Sequence, residues 1–316
     1  MKNSFVVLAG ASGDLGSRIA RELVLQGAYV RALVRPAADT SRLSALPPDR
    51  LEVHPVDFQK QDELARACEG ASIVVSAFSG LREVIIDTQM QLLQAAVQAD
   101  VPRFMPSDFA IDFTQIPEGL NRNLNLRNEF RAKLERARIR PTSILNGAFT
   151  DMLTGMAPFI LFQQKRILCW GDPDQMMDWT TIADTAAYAA SAALDPEAPR
   201  FLRIAGDQLS ARSLATLMTE LTGETHRIFQ PGNPGLLRFL IGVTRFFAPA
   251  PKEIYPAWQG MQYMHNMYAG LGKFQALDND RYPMAWTSAR QVLARHLGRS
   301  EADARWTSGA VSGKAV

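Results

Sequence analysis

The sequence predicts an α/β protein: a doubly wound parallel sheet with a smaller, interwoven C-terminal α+β region. Three observations predict it. The apolar run Phe5-Val-Val-Leu-Ala9 flows directly into Gly10-Ala-Ser-Gly13-Asp-Leu-Gly16, and a helical pattern follows at once. Strand-like and helix-like stretches then alternate through residues 1–150, which implies parallel strands with helices on both faces. After Asn146 the alternation gives way, and residues 151–175 and 201–285 are rich in Met, aromatics, Pro and Gly.

The elements follow in order. Ser17–Gln26 reads as a helix ended by Gly27, and Tyr29–Val34 as the second strand. Leu51–Val56 is a short strand leading to Asp57-Phe58, and Gln61–Cys68 a helix closed by Gly70. Ser72–Ala77 is a buried strand, Leu81–Ala99 a long helix, and Val101–Met105 the fifth strand. A helix over Leu124–Ala137 leads to a sixth strand, Pro141–Leu145, and Asp184–Leu194 is an Ala-rich helix.

The glycine turn carries the chemistry. A first glycine lets the chain leave the strand tightly, a second removes any Cβ between backbone and a pyrophosphate, and a third lets the helix pack close to the sheet. Gly10, Gly13 and Gly16 supply these in a G-x-x-G-x-x-G spacing, with Ser12, Asp14 and Leu15 contributing the amides between them. Free N–H groups and the positive end of the helix dipole then hold the anion. The arrangement is Rossmann-type. The next position to read is the end of the second strand, where a carboxylate binds NAD ribose and an arginine favours the 2′-phosphate of NADP. That strand ends in Arg35-Pro36, and no carboxylate occurs before Asp39. Arg35 therefore argues for NADP(H), with Arg42 in a position to assist. On this reading residues 1–150 form the nucleotide-binding domain and 176–205 return to it. Residues 151–175 and 206–300 cover the substrate, and 301–316 form a flexible tail.

Composition excludes several classes. The chain has 316 residues, 47% hydrophobic and 21% charged, which suits a globular protein. A net charge of +2 gives no basic stripe for nucleic acid and no polybasic membrane anchor. Two distant cysteines, Cys68 and Cys169, suit a reducing compartment. An N-terminal strand entering a glycine turn is not a signal peptide, and the most apolar window, residues 143–162, holds Asn146, Asp151 and Pro158. A cytoplasmic protein is the expectation. The four histidines, His54, His226, His265 and His296, show no metal-ligand spacing, and there is no nucleophile elbow or P-loop lysine.

The chain resembles the NmrA-like and isoflavone reductase-like atypical short-chain dehydrogenase/reductases. The resemblance rests on Gly10–Gly16, the Arg35 strand end, Phe104-Met-Pro-Ser-Asp-Phe109, Thr142–Asp151 and Asp178-Trp-Thr with Asp184-Thr-Ala. It implies that Asp57 and Phe58 lie beside the adenine. It places Ala77 and Phe78 near the diphosphate and riboses, and Ser107, Asn146 and Gly147 by the nicotinamide.

The usual catalytic pattern is missing. No Tyr of the six is followed four positions later by Lys, so the Tyr-x-x-x-Lys pair of most short-chain dehydrogenases is absent. The resemblance implies a lysine on the helix before the sixth strand, and the equivalent position here is Arg127. A guanidinium stays charged; it can hold the nicotinamide ribose or stabilise an oxyanion, but it is no general acid. The candidate acids are Asp108, which more readily braces a loop, and Tyr263 and His265, in a Met- and aromatic-rich stretch that fits a ligand-covering wall. Two functions follow. One is an NADPH-dependent reductase passing hydride to a small, fairly apolar carbonyl, imine or activated alkene. The other is a non-catalytic NADP(H)-sensing regulator.

Overall fold

A computed structural model describes residues 5–298. The first half alternates as its sequence demands. It runs β1 (Phe5–Ala9), α1 (Asp14–Leu25), β2 (Val30–Val34), β3 (Leu51–Pro55), α2 (Gln61–Cys68), β4 (Ala71–Ser76), α3 (Gln89–Gln98), β5 (Arg103–Met105), α4 (Arg122–Leu134) and β6 (Arg140–Pro141). The six strands form one parallel sheet in the order β3-β2-β1-β4-β5-β6. This is the doubly wound α/β sheet the glycine turn called for, with the order reversing beside β1. In such sheets ligands bind outside the carboxyl ends of the strands at that reversal.

Burial on both faces explains the unbroken apolar strands. Val6 and Leu8 of β1 face one core, shared with Ile19, Ala20 and Leu23 of α1. Val7 and Ala9 face the other, with Leu64 of α2, Leu92 of α3 and Phe130 of α4. The long helix expected over Leu81–Ala99 opens with a π-helical turn, Glu83–Thr88, before α3 proper. Such turns interrupt helices frequently at functional sites.

The sixth strand is divided. Arg140 and Pro141 pair with β5, and the Thr142 amide still donates to the Phe104 carbonyl. The next residues form β7 (Ser143–Leu145), which turns to a different neighbour. The chain continues with β8 (Ala148–Phe149), β9 (Ile160–Leu161), β10 (Arg166–Trp170), β11 (Met177–Thr180), α5 (Ile182–Leu194) and β12 (Phe201–Arg203). β12 pairs in parallel with β7 in a separate two-stranded sheet, and α5 packs on α1 through its alanines.

The remaining elements are β13 (Asp207–Leu209), α6 (Ala211–Thr222), β14 (Arg227–Gly232), α7 (Pro234–Phe247), α8 (Ala257–Tyr268) and α9 (Ala289–His296). With β8 to β11 they enclose a second core around Phe159, Trp179, Met218 and Tyr268. Two three-stranded sheets, β14-β10-β9 and β13-β11-β8, frame it. The tail expected at 301–316 lies outside the described residues. Among those described, no helix is long and apolar enough to cross a membrane.

Candidate active site

The glycine turn is built as a close-packed cradle. Gly10 has φ +78°, and a Cβ there would stand 2.7 Å from the Ala77 carbonyl oxygen at the end of β4. A Cβ on Gly16 would stand 2.1 Å from the Gly10 carbonyl oxygen. Gly13 is different: its nearest obstacle is that same oxygen at 3.3 Å, and it is exposed. Gly10 and Gly16 thus shape the turn, whereas Gly13 leaves the outer side of the backbone bare. Gly13 caps α1 without any side-chain hydrogen bond, so the first amides of the helix point outward unclaimed. Asp14 is the one acid in that turn, and Arg18 donates to it at 3.1 Å, drawing its charge along the helix. Ser12 and Leu15 are half-buried beside it.

The adenosine side of the rim follows. Arg35 is exposed immediately after β2, and Arg42 is exposed one loop later. Asp39, the first carboxylate after β2, accepts from the Ser41 amide at 2.9 Å; these bonds to Ser41 hold its carboxyl below the usual range. Asp57 is tied to its own turn by the Gln59 amide at 3.0 Å. Phe58 and Phe78 meet edge to face, ring centroids 5.4 Å apart, joining the ends of β3 and β4. Phe58 is buried in the core, while Ala77 and Phe78 are half-buried on the rim.

Beyond β5 the polar groups turn inward. Ser107 donates to the Phe78 carbonyl at 2.5 Å, and its amide donates to Gln89 at 2.9 Å, so it splices the ends of β5 and β4. Gly147 has φ +67°, and a Cβ there would lie 2.3 Å from the Asp178 carbonyl oxygen. Its conformation serves the close approach of β11. Lys273 stands behind it, 3.0 Å from Asp178, whose other oxygen accepts from the Phe274 amide at 2.7 Å. Asn146 is fully buried, yet neither its side-chain oxygen nor its nitrogen has a protein partner. A buried amide left so costs free energy unless something else satisfies it.

Asp108 is also buried. One oxygen accepts from the Ser143 hydroxyl at 2.7 Å, which in turn accepts from Arg200 at 2.7 Å; the other oxygen is unpartnered. Burial raises the Asp108 carboxyl above its ordinary value, against the Ser143 bond and the charges of Arg127, Arg200 and Arg131. The folded state therefore holds this proton more tightly than the unfolded chain does. Its contribution to stability is full below the unfolded pKa and is lost as pH rises through the folded value. Asp108→Asn is expected to remove that loss. Wild type should drop by up to about 1.4 kcal/mol per pH unit through that window relative to the variant. Denaturant titrations at stepped pH check this.

Arg127 and Tyr263 come together although 136 positions separate their numbers. Arg127 is buried on α4, its guanidinium donating to the Asn123 carbonyl at 3.1 Å, with Nε unpartnered. Its charge reaches both Asp108 and Tyr263. Desolvation pushes the Tyr263 phenol up to about 12, with Arg127 the foremost group pulling it back. His265 is not brought to this place. Two positions on along a helix is about 200° around it, and His265 is buried near Arg238 of α7. Burial and then that charge hold its imidazole below the ordinary value.

A buried amide network fixes α8 against α4, and sequence reasoning missed it. Asn121 caps α4 by accepting from the Leu124 amide at 3.2 Å. It also accepts from Gln259 at 2.8 Å and donates to Asn266 at 3.1 Å. The Arg122 amide donates to Gln262 at 3.0 Å. Gln259, Gln262 and Asn266 lie at i, i+3 and i+7 in a helix otherwise dominated by Met and aromatics. That polar stripe was the available signal. A groove of about 860 Å³ lies elsewhere, between Leu81-Arg82 and the α4 face of Arg122, Leu126 and Glu129. Arg127 projects from a different face, so volume alone misplaces the chemistry. Among the described residues no group of three or more His, Cys, Asp or Glu could hold a metal.

A parallel sheet with a bare glycine turn at its switch point defines a dinucleotide-binding α/β protein. Residues 2–279 match the NmrA-like family, and the chain belongs to it. A bifunctional pinoresinol-lariciresinol reductase from Forsythia intermedia is 25% identical over 322 residues, covering 94% of this chain and 100% of that protein. Among solved structures, an isoflavone reductase superposes with a TM-score of 0.77 at 19% identity, covering 93% of this chain and 99% of that one. A structure of AtPrR2 with NADP+ and (+)-pinoresinol gives 0.71 at 21% identity, covering 88% and 91%.

Proposed function

We propose that this protein is an NADPH-dependent reductase of a small, fairly apolar carbonyl, imine or activated alkene, with Tyr263 as proton donor and Arg127 as its electrostatic partner. The comparisons support the oxidoreductase class and NADP(H) as cofactor. The residues present fit that group. The cradle of Gly10, Gly13 and Gly16 offers bare backbone to a pyrophosphate, Arg35 suits a 2′-phosphate, and Asn146 holds an unsatisfied amide where the resemblance puts the nicotinamide. When bound, the cofactor supplies the hydride.

The observation that carries the reading is that the charge of buried Arg127 reaches both the half-buried Tyr263 phenol and the buried Asp108 carboxyl. A phenol held near 12 stays protonated at neutral pH and gives its proton only to a strongly basic oxygen or nitrogen, such as one developing negative charge as it is reduced. Arg127, desolvated and permanently charged, stabilises that charge and the phenolate left behind. Tyr263 packs at the edge of the second core, among its Met and aromatic side chains.

Absorbance of NADPH against quinones, enones, imines and aldehydes tests the assignment. Turnover of at least one class is expected. Tight NADPH binding with no turnover across the panel replaces it with the sensor reading. Arg35→Ala is expected to weaken NADPH binding by about 10- to 100-fold, the loss of one or two charge-assisted phosphate contacts, and to leave NADH binding unchanged. Titration of both nucleotides by intrinsic fluorescence checks it; equal losses for the two remove Arg35 from the 2′-phosphate.

A further inference from the structure

Exposed large apolar side chains are scattered singly over most of the molecule, as is normal, but α7 concentrates them. Leu236, Phe239, Val243, Phe246 and Phe247 all project from it, Phe239 66% exposed and both Phe246 and Phe247 78%. Their spacing at i, i+3, i+7, i+10 and i+11 makes one continuous stripe. Leu237 and Ile241 hold the opposite face in the second core. The helix is therefore amphipathic twice over, buried on one side and bare on the other.

Charge says what suits the bare side. From Thr225 to Lys252 there is no Asp or Glu, while Arg227, Arg238, Arg245 and Lys252 are all present and exposed. None of the four makes an ion pair with another described residue; Arg245 instead lies over the Trp258 ring at 5.1 Å. Arg238 and Arg245, seven apart, line the border between the buried face and the apolar stripe. A second copy of the chain would bring like charge against like charge. An anionic lipid surface offers both an apolar layer for the phenylalanines and opposite charge for the arginines, the pairing that holds amphipathic helices in a membrane interface.

We propose that α7 is an interfacial docking helix that seats the protein on anionic membranes, Phe239, Phe246 and Phe247 entering the headgroup boundary and the unpaired basic residues facing acidic lipid. Nothing in a linear count shows this, since the net charge is only +2 and no basic run exists.

Flotation of the full chain with vesicles tests the proposal, using phosphatidylcholine alone and phosphatidylcholine with phosphatidylglycerol. Binding to the anionic vesicles only is expected, weakening steeply with salt. The double change Phe246→Ser and Phe247→Ser is expected to weaken it at least about tenfold with an unchanged melting temperature, because both side chains are in solvent. No flotation with anionic vesicles at low salt overturns the proposal. So does light scattering that shows a dimer dispersed by the same double change with no lipid binding, which assigns the face to a second copy. Equal binding to both vesicle types overturns the electrostatic part.

Discussion

Gly16→Val is expected to abolish dinucleotide binding and to destabilise the fold, whereas Gly13→Ala should impair binding with little cost to folding. The two glycines look alike in sequence and do different work. A Cβ at Gly16 falls 2.1 Å from the Gly10 carbonyl oxygen and 3.0 Å from the Ala11 Cα, all backbone, so the turn or α1 must move. That displacement breaks the seat of Ile19 and Leu23 in the core, and a loss of at least about 3 kcal/mol is the expected scale for such strain. At Gly13 a Cβ meets one oxygen at 3.3 Å and otherwise points outward. Replacing a glycine N-cap by alanine costs at most about 1 kcal/mol. The added methyl sits where the pyrophosphate must approach, so NADPH affinity should drop at least about tenfold. Denaturation and nucleotide titration on both variants separate the effects. Gly13→Ala binding NADPH as wild type does would move the phosphate away from this turn.

The parts of the site written in local sequence were legible. Gly10, Gly13 and Gly16 specify a backbone path, and Arg35 is fixed by its place after β2; both depend on neighbours within a few residues. Phe58 and Phe78 follow the ends of β3 and β4, where the strand pattern puts them. What failed to show was set by distant partners. β12 is three residues long, and its strand pairing is with β7, some sixty residues earlier in the chain. Asn121 gives no sign that its amide will meet Gln259 and Asn266 across the interface with the second core. Closeness in sequence groups Tyr263 with His265, whereas helical geometry places residues two apart on nearly opposite faces. Arg127 and Tyr263 could each be nominated, but their pairing depends on α8 docking against α4, which that buried amide network fixes.

Tyr263→Phe should therefore lower kcat by about 10²- to 10⁴-fold, the range for removing a positioned acid, while NADPH affinity stays at the wild-type value. Arg127→Ala should cost about 10²- to 10³-fold in kcat through lost charge stabilisation, and Arg127→Lys should recover part of it, since a buried ammonium keeps the charge but not the planar fork. The pH profile distinguishes the acid from a packing residue. Tyr263 is held up to about 12 by burial, so the protonated phenol persists through neutral and mildly alkaline pH, and kcat should stay level until pH approaches that value. Arg127 is the foremost group lowering the phenol's pKa against desolvation; its removal should carry the alkaline limb higher still. A structural tyrosine would shift stability in the Phe variant and leave the limb in place. An unaltered kcat in Tyr263→Phe, measured on any substrate the protein reduces, would remove the phenol from the reaction and leave water as the proton source, with Arg127 stabilising charge at the centre.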